Sequence, residues 1–113
     1  MDFKIDVFDT DITYLEGELS DDLRPIIEGK DSYKNKGITI KLKKRYIIWV
    51  ENPDDISSMV HESFHVVCKV LDERGIHLNS STEEIYAYTL GYVINQIQRL
   101  KNEQKKLHST KTN

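Results

Sequence analysis

The chain has 113 residues, enough for one domain around one hydrophobic core and too few for a second. Its formal net charge of −3 and pI near 5.8 argue against a general electrostatic affinity for nucleic acid. The single cysteine, Cys68, excludes an internal disulfide and points to a reducing compartment.

Met1 is followed by Asp2, Phe3 and Lys4 without an apolar leader, and no apolar run is long enough to span a bilayer. A cytoplasmic protein that does not enter membranes is therefore expected. Phe3, Ile5 and Val7 alternate with Lys4, Asp6 and Phe8, the period-2 pattern of a strand with one buried face, and Ile12, Tyr14 and Leu15 continue it after a break. Ser20, Asp21 and Asp22 then offer a helix start, but Pro25 sits too deep for a comfortable first turn, so this helix is expected to be short. Gly29 supplies its stop, and the tightest turn of the polar stretch that follows is Asn35-Lys36-Gly37.

Ile38, Ile40 and Leu42 alternate with Thr39 and Lys41, and a solid apolar run follows over 46–50. Two strands are predicted, with the basic residues 43–45 between them as a solvated turn or edge. Asn52 reads as an N-cap with Pro53 in the first helical position. The predicted helix runs to Arg74, with Gly75 as its left-handed stop. Ile56, Val60, Phe64, Val67 and Leu71 form the expected core stripe. A second helix opens at Ser80 or Ser81, each with a glutamate three residues on, and buries Ile85, Leu90, Val93, Ile94, Ile97 and Leu100. Beyond Leu100 the apolar pattern ends, so a domain of residues 1–104 and a basic, disordered tail of 105–113 are expected.

The chemistry concentrates in His61-Glu62-Ser63-Phe64-His65, an H-E-x-x-H pattern inside the first long helix. Histidines four apart lie on one helical face, so both imidazoles can reach one zinc ion at roughly 2.0–2.1 Å. Glu62 projects about 100° round the helix from His61, which suits a base that acts on water without being a ligand. The plain alternative is an exposed i, i+4 histidine pair beside a salt-bridging glutamate. Cys68 reads as a packing residue, Asp72 as a solvated one, and His77 and His108 as surface histidines.

A motif-bearing helix followed by a helix that begins with acids resembles the gluzincin class of zinc metallopeptidases. In that class a glutamate roughly twenty residues on is the third metal ligand. The resemblance covers about residues 59–94 and implies one zinc ion held by His61, His65 and Glu84, with Glu62 as general base. Glu84-Ile85-Tyr86-Ala87 looks like the E-x-x-A of several gluzincin families, which favours Glu84 over Glu83. Where those families place a histidine-orienting aspartate, this chain has Tyr88. Tyr86 and Tyr88 are candidate donors to an oxyanion, or else aromatic packing residues. The strand at 46–50, with Tyr46, Ile48 and Val50, fits the edge strand that lines the cleft and would bind an extended peptide. The small size resembles minimal metallopeptidase-like proteins of bacteriophages.

The expected fold is α+β: a small mixed sheet packed against the H-E-x-x-H helix, with a second long helix alongside. The leading expectation for function is zinc-dependent hydrolysis of a peptide or protein substrate, with no specific nucleic-acid partner. The second is a metal-binding interaction protein built on the same scaffold, catalytically weak or inactive.

Overall fold

In the computed structural model, which describes residues 1–28 and 36–111, the alternating segment at the amino end forms two antiparallel strands. These are β1 (Asp2–Ile5) and β2 (Thr10–Glu16), joined by a 3-10 turn over Asp6–Phe8 that closes with Asp9 in the left-handed region. Helix α1 (Arg24–Glu28) starts one residue before Pro25, which therefore lies in its first turn, where proline is tolerated, rather than too deep for it as expected. The expected stop at Gly29 and the beginning of the turn at 35–37 lie outside the described residues. β3 (Gly37–Leu42) and β4 (Arg45–Val50) make the predicted hairpin, with Lys43 at φ 52° in its turn.

The sheet order is β1-β2-β4-β3, with β2 and β4 parallel and the other pairs antiparallel. β4 is thus an interior strand, and the expectation that residues 46–50 form the edge is corrected. Tyr46, Ile48 and Val50 are buried beneath the helices, while Ile47 and Trp49 pack on the opposite face with Ile38 and Ile40. An unbroken apolar run marks burial on both faces, which a central strand meets and an edge strand does not. The free edge on this side is β3, whose Ile38 and Ile40 point away from the helices.

Helix α2 (Ile56–Glu73) starts three residues later than Asn52 and Pro53 suggest. Asp55 is the cap, its carboxylate accepting from Ser58 N at 3.0 Å and Ser58 Oγ at 2.6 Å, whereas Asn52 Oδ1 accepts from Asp54 N. The carboxy end is as predicted. Gly75 N donates to Asp72 O and Ile76 N to Leu71 O, the double bond of a Schellman stop, with Gly75 at φ 75°.

The buried face of α2 is rotated from the expected stripe. Met59, Val66, Val67, Val70 and Leu71 are buried, whereas Ile56 is 61 % exposed and Val60 36 %. Glu62 and Ser63 are carried inward with that face. Burying the five apolar side chains contributes about 1.5–3 kcal/mol each, against about 1–3 kcal/mol for each imperfectly satisfied polar group, so the apolar set decides the rotation.

Helix α3 (Glu83–Lys111) packs Tyr86, Val93 and Ile97 into the same core. Ser80 and Ser81 stand before its first turn, where Asn79 and Thr82 organise the link by mutual hydrogen bonds. The helix continues to Lys111, through the stretch from 105 on that was expected to be a disordered tail. Its lysines, glutamates and glutamines are good helix formers and need no buried face to continue the turn. Lys101 anchors the middle of α3 by donating to Pro53 O at 2.6 Å and pairing with Glu16 at 3.1 Å.

Candidate functional site

His61 and His65 stand on the exposed flank of α2 with Nε2 atoms 3.1 Å apart and ring centroids 4.7 Å apart, edge to face. A tetrahedral ion with ligands at 2.0–2.1 Å separates its donor nitrogens by about 3.3–3.4 Å. The Nε2 spacing is thus within a few tenths of an ångström of what two ligands of one zinc ion require, and the pair supplies two of the three protein ligands that a catalytic zinc site uses. Without a metal, the same contact is an N–H of one ring donated to the lone pair of the other.

Glu62 lies inward of this pair and is 8 % exposed. Its Oε1 accepts from the Thr39 hydroxyl at 2.8 Å, and its Oε2 is 3.9 Å from His61 Nε2. The same hydroxyl lies 2.9 Å from the Glu62 backbone carbonyl, and its one hydrogen serves a single acceptor at a time. The carboxylate, bearing charge, makes the stronger bond. Gly37 opens β3 where a Cβ would lie 3.0 Å from both Glu62 Cγ and Trp49 O, so the missing side chain makes room for the glutamate.

Gly37, Ile38 and Thr39 on the edge strand and His61, Glu62, His65 and Lys69 on the helix thus form the two walls of a cleft. Further along, Lys41 pairs with Glu73 at 2.7 Å, and the Tyr46 hydroxyl also donates to Glu73. Lys41 first, then Tyr46, hold the Glu73 carboxyl below its ordinary value, and burial pushes the Tyr46 phenol up.

The other expected site residues fall elsewhere. Among the described residues, no three His, Cys, Asp or Glu side chains come together in a group that could hold a metal. Glu84 is exposed in the first turn of α3. The reason is how the chain between His65 and Glu84 is divided. α2 carries residues 66–73 away from the histidines, about 12 Å at 1.5 Å per residue, before the link turns back. On the return, Tyr86 meets α2 in a groove that it lines with His65, Cys68, Lys69 and Asp72. Glu84 comes before Tyr86 and about 200° round the helix from it, whereas Glu83 lies one turn below Tyr86 and about 60° from it. Helix phase therefore places Glu83 nearer than Glu84 to the α2 side.

Tyr86 is buried with its hydroxyl donating to Ile76 O at 2.6 Å, and burial raises its pKa. That donor is already used. Tyr88 is 75 % exposed and lines a separate groove with Val7, Phe8, Ile85 and Tyr92. Neither tyrosine lines the Glu62 cleft, although Tyr86 shares a neighbouring groove with His65. Tyr46, Ile48 and Val50 lie under the helices and cannot contact a bound peptide as edge residues. Cys68 is half-buried with its thiol pushed up by burial, consistent with packing, and Asp72 pairs with His77 at 2.5 Å.

Motif reading missed Thr39, Gly37 and Lys69. The alternation at 37–41 puts Gly37, Thr39 and Lys41 on one face, and Lys69 follows His65 by four. Neither signal identifies the partner across the cleft without the fold. No described helix is long and apolar enough to cross a membrane. No family model, curated protein or solved structure matches the chain.

Proposed function

We propose that this chain is a metal-dependent hydrolase of peptide bonds, with His61 and His65 as its metal-binding pair and Glu62 as its general base. The observation that carries the reading is the convergence of two Nε2 atoms at 3.1 Å next to a buried carboxylate. Bound zinc would polarise the scissile carbonyl and lower the pKa of an attacking water towards about 7. Glu62 moves the proton. Thr39 holds Oε1, which leaves Oε2, on the His61 side, to take a proton from water and return it to the departing amine. Among the described residues β3 is an edge strand, onto which an extended peptide adds as a fifth strand.

A second reading is a metal-binding interaction protein without catalysis. The position of Glu84 favours it, because the acidic ligand that completes the gluzincin set is not beside the histidines. One set of measurements separates the two. Protein purified without a histidine tag is expected to take up one zinc per chain, and His61→Ala to abolish uptake. Glu62→Gln is expected to keep the zinc and lose all cleavage of a peptide library. Zinc uptake with no peptide cut by the unaltered protein selects the second reading, and no uptake refutes both.

A further inference from the structure

We infer that Lys69 makes the cleft selective for peptides carrying a carboxylate within two or three residues of the bond presented to His61 and His65; this rests on the hydrolytic reading above. Lys69 stands one turn beyond His65 on the same helical face and lines the cleft with His65, Glu62, Ile38 and Thr39. The carboxylates within its reach along α2 are Asp72, three residues on, which shares a groove with it but pairs with His77 at 2.5 Å, and Glu73, four residues on. Glu73, however, is engaged by Lys41 at 2.7 Å and by the Tyr46 hydroxyl. Among the described residues the Lys69 ammonium has no hydrogen-bond or ion-pair partner, whereas Lys4 and Lys101 are each paired with a carboxylate. The facing wall contributes no charge there, since Gly37, Ile38 and Thr39 are neutral. The cleft therefore holds the Glu62 carboxylate beside the imidazole pair and, farther along, a cation without an ion-pair partner among the described residues.

The spacing sets where a ligand's carboxylate belongs. A point level with the two imidazoles is roughly 9 Å from Lys69 along the axis, and the side chain leans back towards the amino end of the helix. An extended peptide spans that distance in two or three residues at about 3.3 Å each. The carboxylate is either an aspartate or glutamate side chain, or the free carboxy terminus of a short peptide. General electrostatics predict the opposite preference, because a chain with net charge −3 repels acidic peptides at long range. A preference for acidic peptides is therefore diagnostic of a local cation.

The test uses the zinc-loaded protein and a matched set of labelled peptides. One carries glutamate at the third position from the centre, another glutamine there, and each is made with a free and an amidated carboxy terminus. Affinity is read by fluorescence anisotropy, and KM and kcat by cleavage. Lys69→Met is expected to weaken the carboxylate-bearing peptides about tenfold, through KM with kcat unchanged, and to leave the neutral amidated peptide unaffected. Lys69→Arg should retain the preference. Comparing the glutamine and amidated members tells a side-chain carboxylate from a terminal one. An acidic-to-neutral affinity ratio identical in the unaltered protein and Lys69→Met overturns the inference; a carboxylate that merely ligates zinc gives this result. Lys69-dependent binding with no cleavage by the unaltered protein supports the inference and overturns the hydrolytic reading alone.

Discussion

Replacing Thr39 by valine removes the hydroxyl that donates to Glu62 Oε1 at 2.8 Å while keeping the branched shape that β3 favours. What is lost is a charge-assisted hydrogen bond to a carboxylate with little access to solvent. Leaving such a group short of a partner costs about 1–3 kcal/mol. The Glu62 side chain keeps 11 % of its exposure, so water replaces part of the bond and the lower half of that range applies. At about 4 °C per kcal/mol for a domain of this size, Tm is expected to fall by about 4–8 °C. The assay is thermal and urea unfolding of Thr39→Val, Glu62→Leu and the double variant. Removing the carboxylate lets the hydroxyl serve the Glu62 backbone carbonyl instead, 2.9 Å away, so Thr39→Val should cost less in the Glu62→Leu background. The expected coupling is about 1 kcal/mol; additivity within about 0.5 kcal/mol would refute the claim that Thr39 holds the carboxylate.

Gly37→Ala inserts a methyl group 3.0 Å from Glu62 Cγ and Trp49 O, and is expected to cost about 1–3 kcal/mol in urea unfolding and, on the proposed hydrolytic reading, to lower peptide turnover. Ser63 carries a fully buried hydroxyl without a partner among the described residues, so Ser63→Ala should leave Tm unchanged or raise it by a few degrees. The Glu73 carboxyl is held below its ordinary 4.5, so its contribution is complete above that pH and fades as pH falls through the depressed value. With its side chain 42 % exposed, that contribution is below about 1 kcal/mol, and Glu73→Gln should flatten the acid limb of a stability-against-pH curve below 4.5 without altering its neutral plateau by more.

The strands at both ends of the sheet, the Schellman stop at Gly75 and the H-E-x-x-H helix were all legible locally, because each depends on periodicity or on one residue's backbone preference. The rotation of α2 was not. Valines at 60, 66, 67 and 70 leave more than one apolar stripe open, and a glutamate inside the true stripe disguises it. The cap moved from Asn52 to Asp55 for a similar reason: two good candidates stood three residues apart, and only the packed helix chooses between them. The run at 46–50 did contain the clue to its central position, since continuous apolarity signals burial on both faces.

The amino-acid sequence by itself determined that two imidazoles share one face of a helix with a carboxylate beside them, because the i, i+4 spacing and the helical pitch leave no other arrangement. Tertiary structure alone decided what surrounds them. It made β3 an edge, set Thr39 and Gly37 against Glu62, left Lys69 without an ion-pair partner among the described residues, and kept Glu84 from grouping with the histidines. Those outcomes depend on which strand pairs with which and on where a helix stops relative to its return, and such long-range choices are made by the burial of the whole core rather than by any short stretch of chain.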